Sequence, residues 1–581
     1  MTFTKNDIAV LMIALGLVTA CTENTGTTQN QDPSNQHDST EVVRQNVAAP
    51  ENVAIPVKEK AALEVAVVDA SDLQYDMAQE PSVSFVAPST RMATPMIARR
   101  LPTMEPSPYI GHRDRYLETP SNGVKQVASA PLSTFSIDVD TGSYANVRSY
   151  INMGQKPPSD AIREEAFINY FDYQYDTPKN KKLPFSVQSE VAPSPWSAER
   201  HLLRIALKGY DIPNSERKDS NLVFLVDVSG SMAEPNKLPL LVQSLALLVK
   251  ELDSRDTVSL VTYAGHSSVV LEPTKGESKQ VILAALKQLQ AGGGTYGESG
   301  IKMAYQQAQK GFINNGVNRV ILATDGDFNV GVSNINDLKA IIKQEKEKGI
   351  SLTTLGFGRG NYNDGLMEQL ANIGDGNHAY IDTLHEAKKV LLRQMSGTLQ
   401  SIAHDVKIQV EFNPANVKEY RLIGYQNRLL KDEDFNNDAV DAGEIGAGHS
   451  VTALYELTLA NDKGQIDDLR YQKSIPSPDA KARSNELVQV KVRYKLPSKS
   501  ESKLVQHVVS TKNVRSDFLQ ASSDFQFATA VAAFAQKLKD NHYLSHVNYD
   551  DIAGIARSNR GDDPHNYRGE FIRLVEMAQS L

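Results

Sequence analysis

The sequence predicts a doubly wound, mostly parallel α/β domain inserted in a β-sandwich-like domain, and three observations lead there. Between about 220 and 400, buried-strand patterns alternate with amphipathic helical ones, the mark of a mostly parallel sheet covered by helices on both faces. Strand patterns on either side of that block make no obvious complete sheet alone, so the economical solution pairs them across it. Three amphipathic helical patterns close the chain, and a long stretch poor in aromatic residues opens it as a disordered tether.

At the amino terminus, Lys5 precedes the apolar run Ile8–Ala20, which ends Leu17-Val18-Thr19-Ala20-Cys21. A run this short is a signal-peptide core rather than a membrane span. Small residues before a cysteine resemble the bacterial lipobox, which implies that residues 1–20 are a lipoprotein signal peptide and that Cys21 is lipidated. Cys21 is the only cysteine among 581 residues, so an exported chain has no disulfide framework. If the host is Gram-negative, Thr22 in place of aspartate resembles the outer-membrane sorting choice. Residues 21–107 are too poor in apolar groups to offset ordering; a flexible tether of this length spans about 50 Å.

A folded flanking region is expected over 108–214. Ser133 to Tyr144, the stripe Val147, Tyr150 and Ile151, and Ala166 to Phe171 resemble the segment that precedes the central domain in a family of bacterial envelope lipoproteins. Phe185–Glu190 and Leu202–Leu207 read as strands. Within this region Asp140-Thr141-Gly142-Ser143 has the wording of an aspartic protease site, whose chemistry needs two carboxylates sharing a proton. No second copy of the motif occurs, so only a homodimer could complete that dyad; a structural or Ca2+-loop role for Asp138 and Asp140 is the better reading.

The central domain, 215–402, carries the chemistry. The apolar strand Asn221–Val226 ends on Asp227-Val228-Ser229-Gly230-Ser231, three oxygen-bearing side chains at alternate positions. Open α/β sheets place ligands at the carboxyl ends of their strands, and a carboxylate with two hydroxyls suits a hard divalent cation. Ala291-Gly292-Gly293-Gly294-Thr295 delivers another hydroxyl before a helix, and the strand Arg319–Thr324 ends on Asp325-Gly326-Asp327. In this order the three loops resemble the metal-ion-dependent adhesion site of von Willebrand factor type A domains. The resemblance implies Mg2+, with Mn2+ or Ca2+ as alternatives, ligated directly by Ser229, Ser231 and Thr295 and directly or through water by Asp227 and Asp325. It also implies a protein partner whose Asp or Glu completes the octahedron. These groups are expected on an exposed loop crest, so that losing Asp227 or the Ser229 hydroxyl leaves the fold intact.

Around these loops, helical patterns at 240–249, 279–289, 299–309, 336–347, 364–371 and 384–399 alternate with strands at 257–263, 320–324 and 350–357. Beyond them, a β-rich C-terminal domain over 403–515 carries strands at 406–412, 419–423, 451–459, 487–494 and 504–509; the alternative to insertion is two separate small sheets. Arg421 to Leu459 resembles the carboxyl-terminal region of the same lipoprotein family. Asp432–Asp438 mimics the start of an EF-hand loop but lacks its glycine and closing glutamate, and His542 with His546 lacks a paired glutamate. Helical patterns at 525–538, 550–557 and 567–578 make the terminal helical segment, 516–581.

A net charge of -9 argues against nucleic acid as a partner. No nucleophile elbow or phosphate-cradling loop occurs, so the reading is not an enzyme. It is a lipid-anchored, divalent-metal-dependent protein-binding module of the cell envelope, for adhesion or assembly, with a scaffold whose metal is purely structural as the alternative.

Overall fold

The structure is a computed structural model that describes residues 114–178, 182–295, 297–326, 335–394, 397, 399–467, 483–497 and 499–581. The expected signal peptide and tether, Cys21 and Asp327 lie outside them.

The flanking region carries β1 (Lys125–Gln126), β2 (Leu132–Ser136), α1 (Gly142–Asn152), α2 (Glu164–Ile168), β3 (Phe185–Ser194) and β4 (Ser197–Gly209). The central domain follows with β5 (Ser220–Asp227), α3 (Leu238–Glu251), β6 (Thr257–Tyr263), β7 (Ser267–Lys275), α4 (Lys279–Lys287), α5 (Gly297–Lys310), β8 (Val317–Thr324), α6 (Ile335–Glu347), β9 (Ser351–Phe357), α7 (Asp364–Ile373), β10 (His378–Ile381) and α8 (Leu384–Lys388). Its six strands run in the order β10-β9-β8-β5-β6-β7, all parallel except β7. On β5, Leu222, Phe224 and Val226 pack with Leu241, Leu245 and Ile282, while Val223 and Leu225 meet Ile301, Tyr305 and Met367 on the other side. Burial on both faces is why such strands read as unbroken apolar runs. The chain leaves β5 for β6 on one side and β8 on the other, so a crevice opens at the carboxyl ends of β5 and β8.

After the domain come β11 (Ser401–Phe412), β12 (Val417–Ile423), β13 (Gly443–Gly446), β14 (Ser450–Leu459), β15 (Glu486–Lys495) and β16 (Ser502–Ser510), then α9 (Ser523–Leu538), α10 (Tyr549–Ser558) and α11 (Tyr567–Ala578). One sheet is β1-β12-β14-β4-β3; the other is β13-β11-β15-β16, with β2 also on β11. Strands from before and after the central domain therefore share sheets: His201–Lys208 of β4 pairs with Leu457–Ser450 of β14, and Leu132–Ser136 of β2 with Glu411–Lys407 of β11. The central domain is an insertion between paired strands. Side chains alternate along β4: Leu203, Ile205 and Leu207 enter the sandwich core with Ile408, Tyr455 and Val490, while Leu202 and Ala206 face Phe525, Phe534 and Phe571 of the helical layer.

Three elements depart from the sequence expectation. β7 is a half-buried edge strand containing Pro273, with too little alternation to be seen. β10 has only four residues. The helical pattern over 384–399 breaks after α8 into a π turn, Lys389–Arg393, where the Lys389 Nζ donates to the Tyr170 carbonyl at 2.5 Å.

Buried ion pairs lock the three parts together. Arg148 of α1, 1% exposed, donates to Asp382 at 2.8 and 2.5 Å and to Glu386 at 2.7 Å in the central domain, and to Glu570 of α11 at 3.0 Å. Arg428 bonds Asp138 at 3.2 Å and Glu368 at 3.0 Å, with Asp140 at 3.5 Å. The Asp-Thr-Gly-Ser loop is thus tied into the fold, with Asp138 and Asp140 meeting Glu368 around the Arg428 guanidinium, a carboxylate group that could also hold a metal ion. Asp140 is buried, and its Oδ1 accepts the His378 amide at 2.8 Å. That burial leaves little face for a second copy's carboxylate, which counts against the protease alternative. Burial lifts Asp140 to about 7, with Asp138 adding to the rise and Arg428 and His378 opposing it.

The shared sheets predict that residues 402–581, expressed alone, lose β2 from β11 and β4 from β14 and stay molten or insoluble; a cooperative melt of that fragment would contradict the pairing. The raised Asp140 predicts a pH signature. Its folded value lies above its unfolded one, so the native state holds a proton that the unfolded chain has lost, and stability from this group falls as pH rises from about 4 through about 7. Asp140→Asn, neutral throughout, is expected to lie close to the wild type near pH 4 and to exceed it by up to about 4 kcal/mol at pH 8. Denaturant melts of both proteins across that range check this, and a constant difference would count against it.

Candidate metal centre

β5 delivers Asp227 to the crevice, and the chain then turns through Ser229 and Ser231 into a short 3-10 turn, Gly230–Ala233, ahead of α3. The Asp227 carboxylate is fixed from three sides: Oδ1 accepts the Ser229 amide at 2.9 Å, and Oδ2 accepts the Thr324 hydroxyl at 2.9 Å and the Tyr263 hydroxyl at 3.2 Å. The Ser229 and Ser231 hydroxyl oxygens stand 3.0 Å apart. Two backbone bonds stitch the glycine loop onto this turn, Gly230 N to Gly293 O at 3.1 Å and Gly292 N to Val228 O at 2.8 Å. Thr295, half-buried, lies two residues beyond Gly293. Asp325 directly follows β8, and its Oδ2 accepts from the Lys237 Nζ at 3.1 Å.

All five sequence-predicted residues therefore belong to loops at one end of the sheet, but not on a crest. Asp227, Ser229 and Asp325 are at most 1% exposed, whereas Ser231 and Gly292–Gly294 are open to solvent. The reason is the crevice itself: β6 and β8 flank β5 and wall in its terminal carboxylate. Truncating Asp227 strands three donors, so the expectation of an undisturbed fold is corrected to a modest destabilisation.

The donor set fits a small hard cation. Oxygens about 2.1 Å from an octahedral ion lie about 3 Å from their neighbours, the spacing of the two serine hydroxyls. The Lys237 ammonium pairs with Asp325, whereas the bonds to Asp227 come from the uncharged Ser229 amide and the Thr324 and Tyr263 hydroxyls. Burial lifts Asp227 to about 6; the Ser229 bonds oppose the rise, and the Asp325 charge adds to it.

Lys237, Tyr263 and Thr324 were not singled out from the sequence. The structure puts Lys237 at the N-cap of α3, where the helix dipole disfavours a cation, a position that the helical pattern beginning at Leu240 does not reveal. The other candidate motifs are structural. The Asp432 carboxylate accepts the Thr134 hydroxyl at 2.6 Å, and His546 bonds the Trp196 carbonyl at 2.6 Å. Asp375, His404 and Glu444 converge where the insertion meets the sandwich, with His404 on Glu444 at 2.7 Å and Lys346 paired to Asp375.

Residues 221–394 match the family model of the von Willebrand factor type A domain, 397–581 that of "Uncharacterized protein YfbK, C-terminal", and 110–204 that of "von Willebrand factor". The uncharacterized protein YfbK of Escherichia coli (strain K12) is 47% identical over 478 residues, which covers 80% of this chain and 81% of that protein. The uncharacterized protein sll0103 of Synechocystis sp. is 27% identical over 361 residues, 61% of this chain and 80% of that protein. Human inter-alpha-trypsin inhibitor heavy chain H3 is 24% identical over 271 residues, 43% of this chain and 30% of that protein. Among solved structures, a von Willebrand factor type A protein from Catenulispora acidiphila aligns over 67% of this chain and 89% of its own, at TM-score 0.38 and 14% identity. With 47% identity to YfbK across most of both chains, the protein belongs to the YfbK family, and its inserted domain is a von Willebrand factor type A domain.

Proposed function

We propose that this protein is a binding module of the bacterial cell envelope, not an enzyme. Its type A domain holds a divalent cation, Mg2+ first, and uses it to take an Asp or Glu carboxylate from a protein partner. Ser229, Ser231 and Thr295 are the direct ligands, and Asp227 and Asp325 bind directly or through water. The observation that carries this reading is the convergence of buried Asp227 and Asp325 with the hydrogen-bonded Ser229 and Ser231 hydroxyls in loops at one end of the sheet. Hydroxyls and water neutralise a divalent ion poorly, and the solvent-open side at Ser231 and Gly292–Gly294 gives a carboxylate from outside a path to it. Lipidated Cys21 and the tether place the module at the membrane surface, at the outer membrane in a Gram-negative host. The Asp325 charge bearing on Asp227 favours a second reading, in which the cation mainly screens these carboxylates and the module is a scaffold.

Asp227→Asn keeps an acceptor for the Ser229 amide but removes the charge. It is expected to abolish Mg2+-dependent pull-down of crosslinked partners from native envelope, with only a small change in melting midpoint, and EDTA on the wild type should do the same. A large drop in midpoint in EDTA, with capture retained at low temperature, would instead establish the scaffold reading. For the anchor, Cys21→Ser should move the protein from the membrane pellet to the soluble fraction or leave an uncleaved precursor; mature protein still in the pellet would contradict it.

A further inference from the structure

We propose that Lys237 sets the affinity of the cation site, as a resident ammonium that a divalent ion must displace from Asp325 or tolerate beside it. The inference rests on the metal-binding reading above and deepens it. Lys237 is 5% exposed, and its Nζ bonds the Asp325 carboxylate at 3.1 Å and the Ser231 carbonyl at 3.0 Å. Both partners belong to the loops that carry the proposed ligands. Its position opposes local preference, because the N-terminal end of a helix repels a cation, so the two oxygens must hold it there.

The side chain also has little room to leave. Gly358, at φ +66, lies so close that an added Cβ would come within 2.3 Å of the Lys237 Cε. The Gly358 carbonyl is fixed by the Tyr380 hydroxyl at 2.6 Å, and the adjoining loop is pinned by Asp114, which accepts the Gly360 and Tyr362 amides at 2.8 and 2.9 Å. Only a glycine leaves space for the lysine stem at that position. The flanking region thus helps fix the charge beside the site.

The electrostatic consequence is direct. Asp227 and Asp325 together offer two negative charges, and the ammonium cancels one before any ion arrives. Cation affinity in oxygen sites follows ligand charge count, so this site is weak by construction, and a partner carboxylate restores the missing charge. Occupancy then couples to partner binding, because each improves the electrostatics for the other.

Mn2+ binding to the mature full-length protein, followed by electron paramagnetic resonance of the free ion, tests this without any partner. Lys237→Met, which keeps the apolar stem, should bind Mn2+ about tenfold or more tightly than wild type. Lys237→Gln, which keeps a donor without the charge, should do likewise, and covers the case in which the methionine variant misfolds. Unchanged or weaker binding in both folded variants, with binding still abolished by Asp227→Asn, would overturn the role of Lys237 and leave the metal site standing. Absence of Asp227-dependent Mn2+ binding in wild type and variants alike would overturn the metal reading and this inference together.

Discussion

The buried guanidinium of Arg148 is the constraint on which the arrangement of the three parts depends. It lies on α1 of the flanking region and faces Asp382 and Glu386 of the inserted domain and Glu570 of the last helix, all within 3.0 Å. Apolar burial supplies most of the stabilisation but is non-directional. A buried pair adds little net stability, whereas a missing partner leaves an uncompensated charge that costs about 3–5 kcal/mol. Burial of this cluster therefore selects one relative placement of flank, insertion and helical layer.

That placement matters at the proposed metal face. With α1 seated, Tyr150 of the same helix bonds Asp114 at 2.9 Å, and Asp114 caps the loop after β9. The loop carries Gly358, against which the Lys237 stem packs. The five proposed ligands all belong to the inserted domain, and the sandwich serves as its base. The sandwich holds both ends of the insertion in paired strands, β4 on β14 and β2 on β11, so that the type A domain stands on a base built from both of its flanks.

Much of this was legible in the sequence because the strongest signals were local. Leu222–Val226 of β5 and Val320–Ala323 of β8 read as unbroken apolar runs since helices cover both faces of the sheet, and the alternating oxygens of Asp227, Ser229 and Ser231 fall where such a strand must end. The insertion was legible as an accounting problem, strands without partners on both sides. What stayed hidden is set by tertiary context. β7 is an edge strand whose side chains are half in water, so its pattern is blurred. Asp140 reads as protease wording, because nothing local shows that Arg428, 288 residues away, will face it. Arg148 reads as one more polar residue on an amphipathic helix, and Lys237 as an ordinary surface lysine. The depth of Asp227 escaped for the same reason: the walls are β6 and β8, and the hydroxyls of Tyr263 and Thr324 reach it from other strands.

Crystals grown in Mn2+ and measured at its absorption edge give the most direct test of the metal centre. The expected result is one strong anomalous peak about 2.1–2.2 Å from the Ser229 and Ser231 hydroxyl oxygens, bordered by Thr295, Asp227 and Asp325, with a coordination position open to solvent. A map with no peak there at saturating Mn2+, or with its only peak at Asp375, His404 and Glu444, would contradict the assignment.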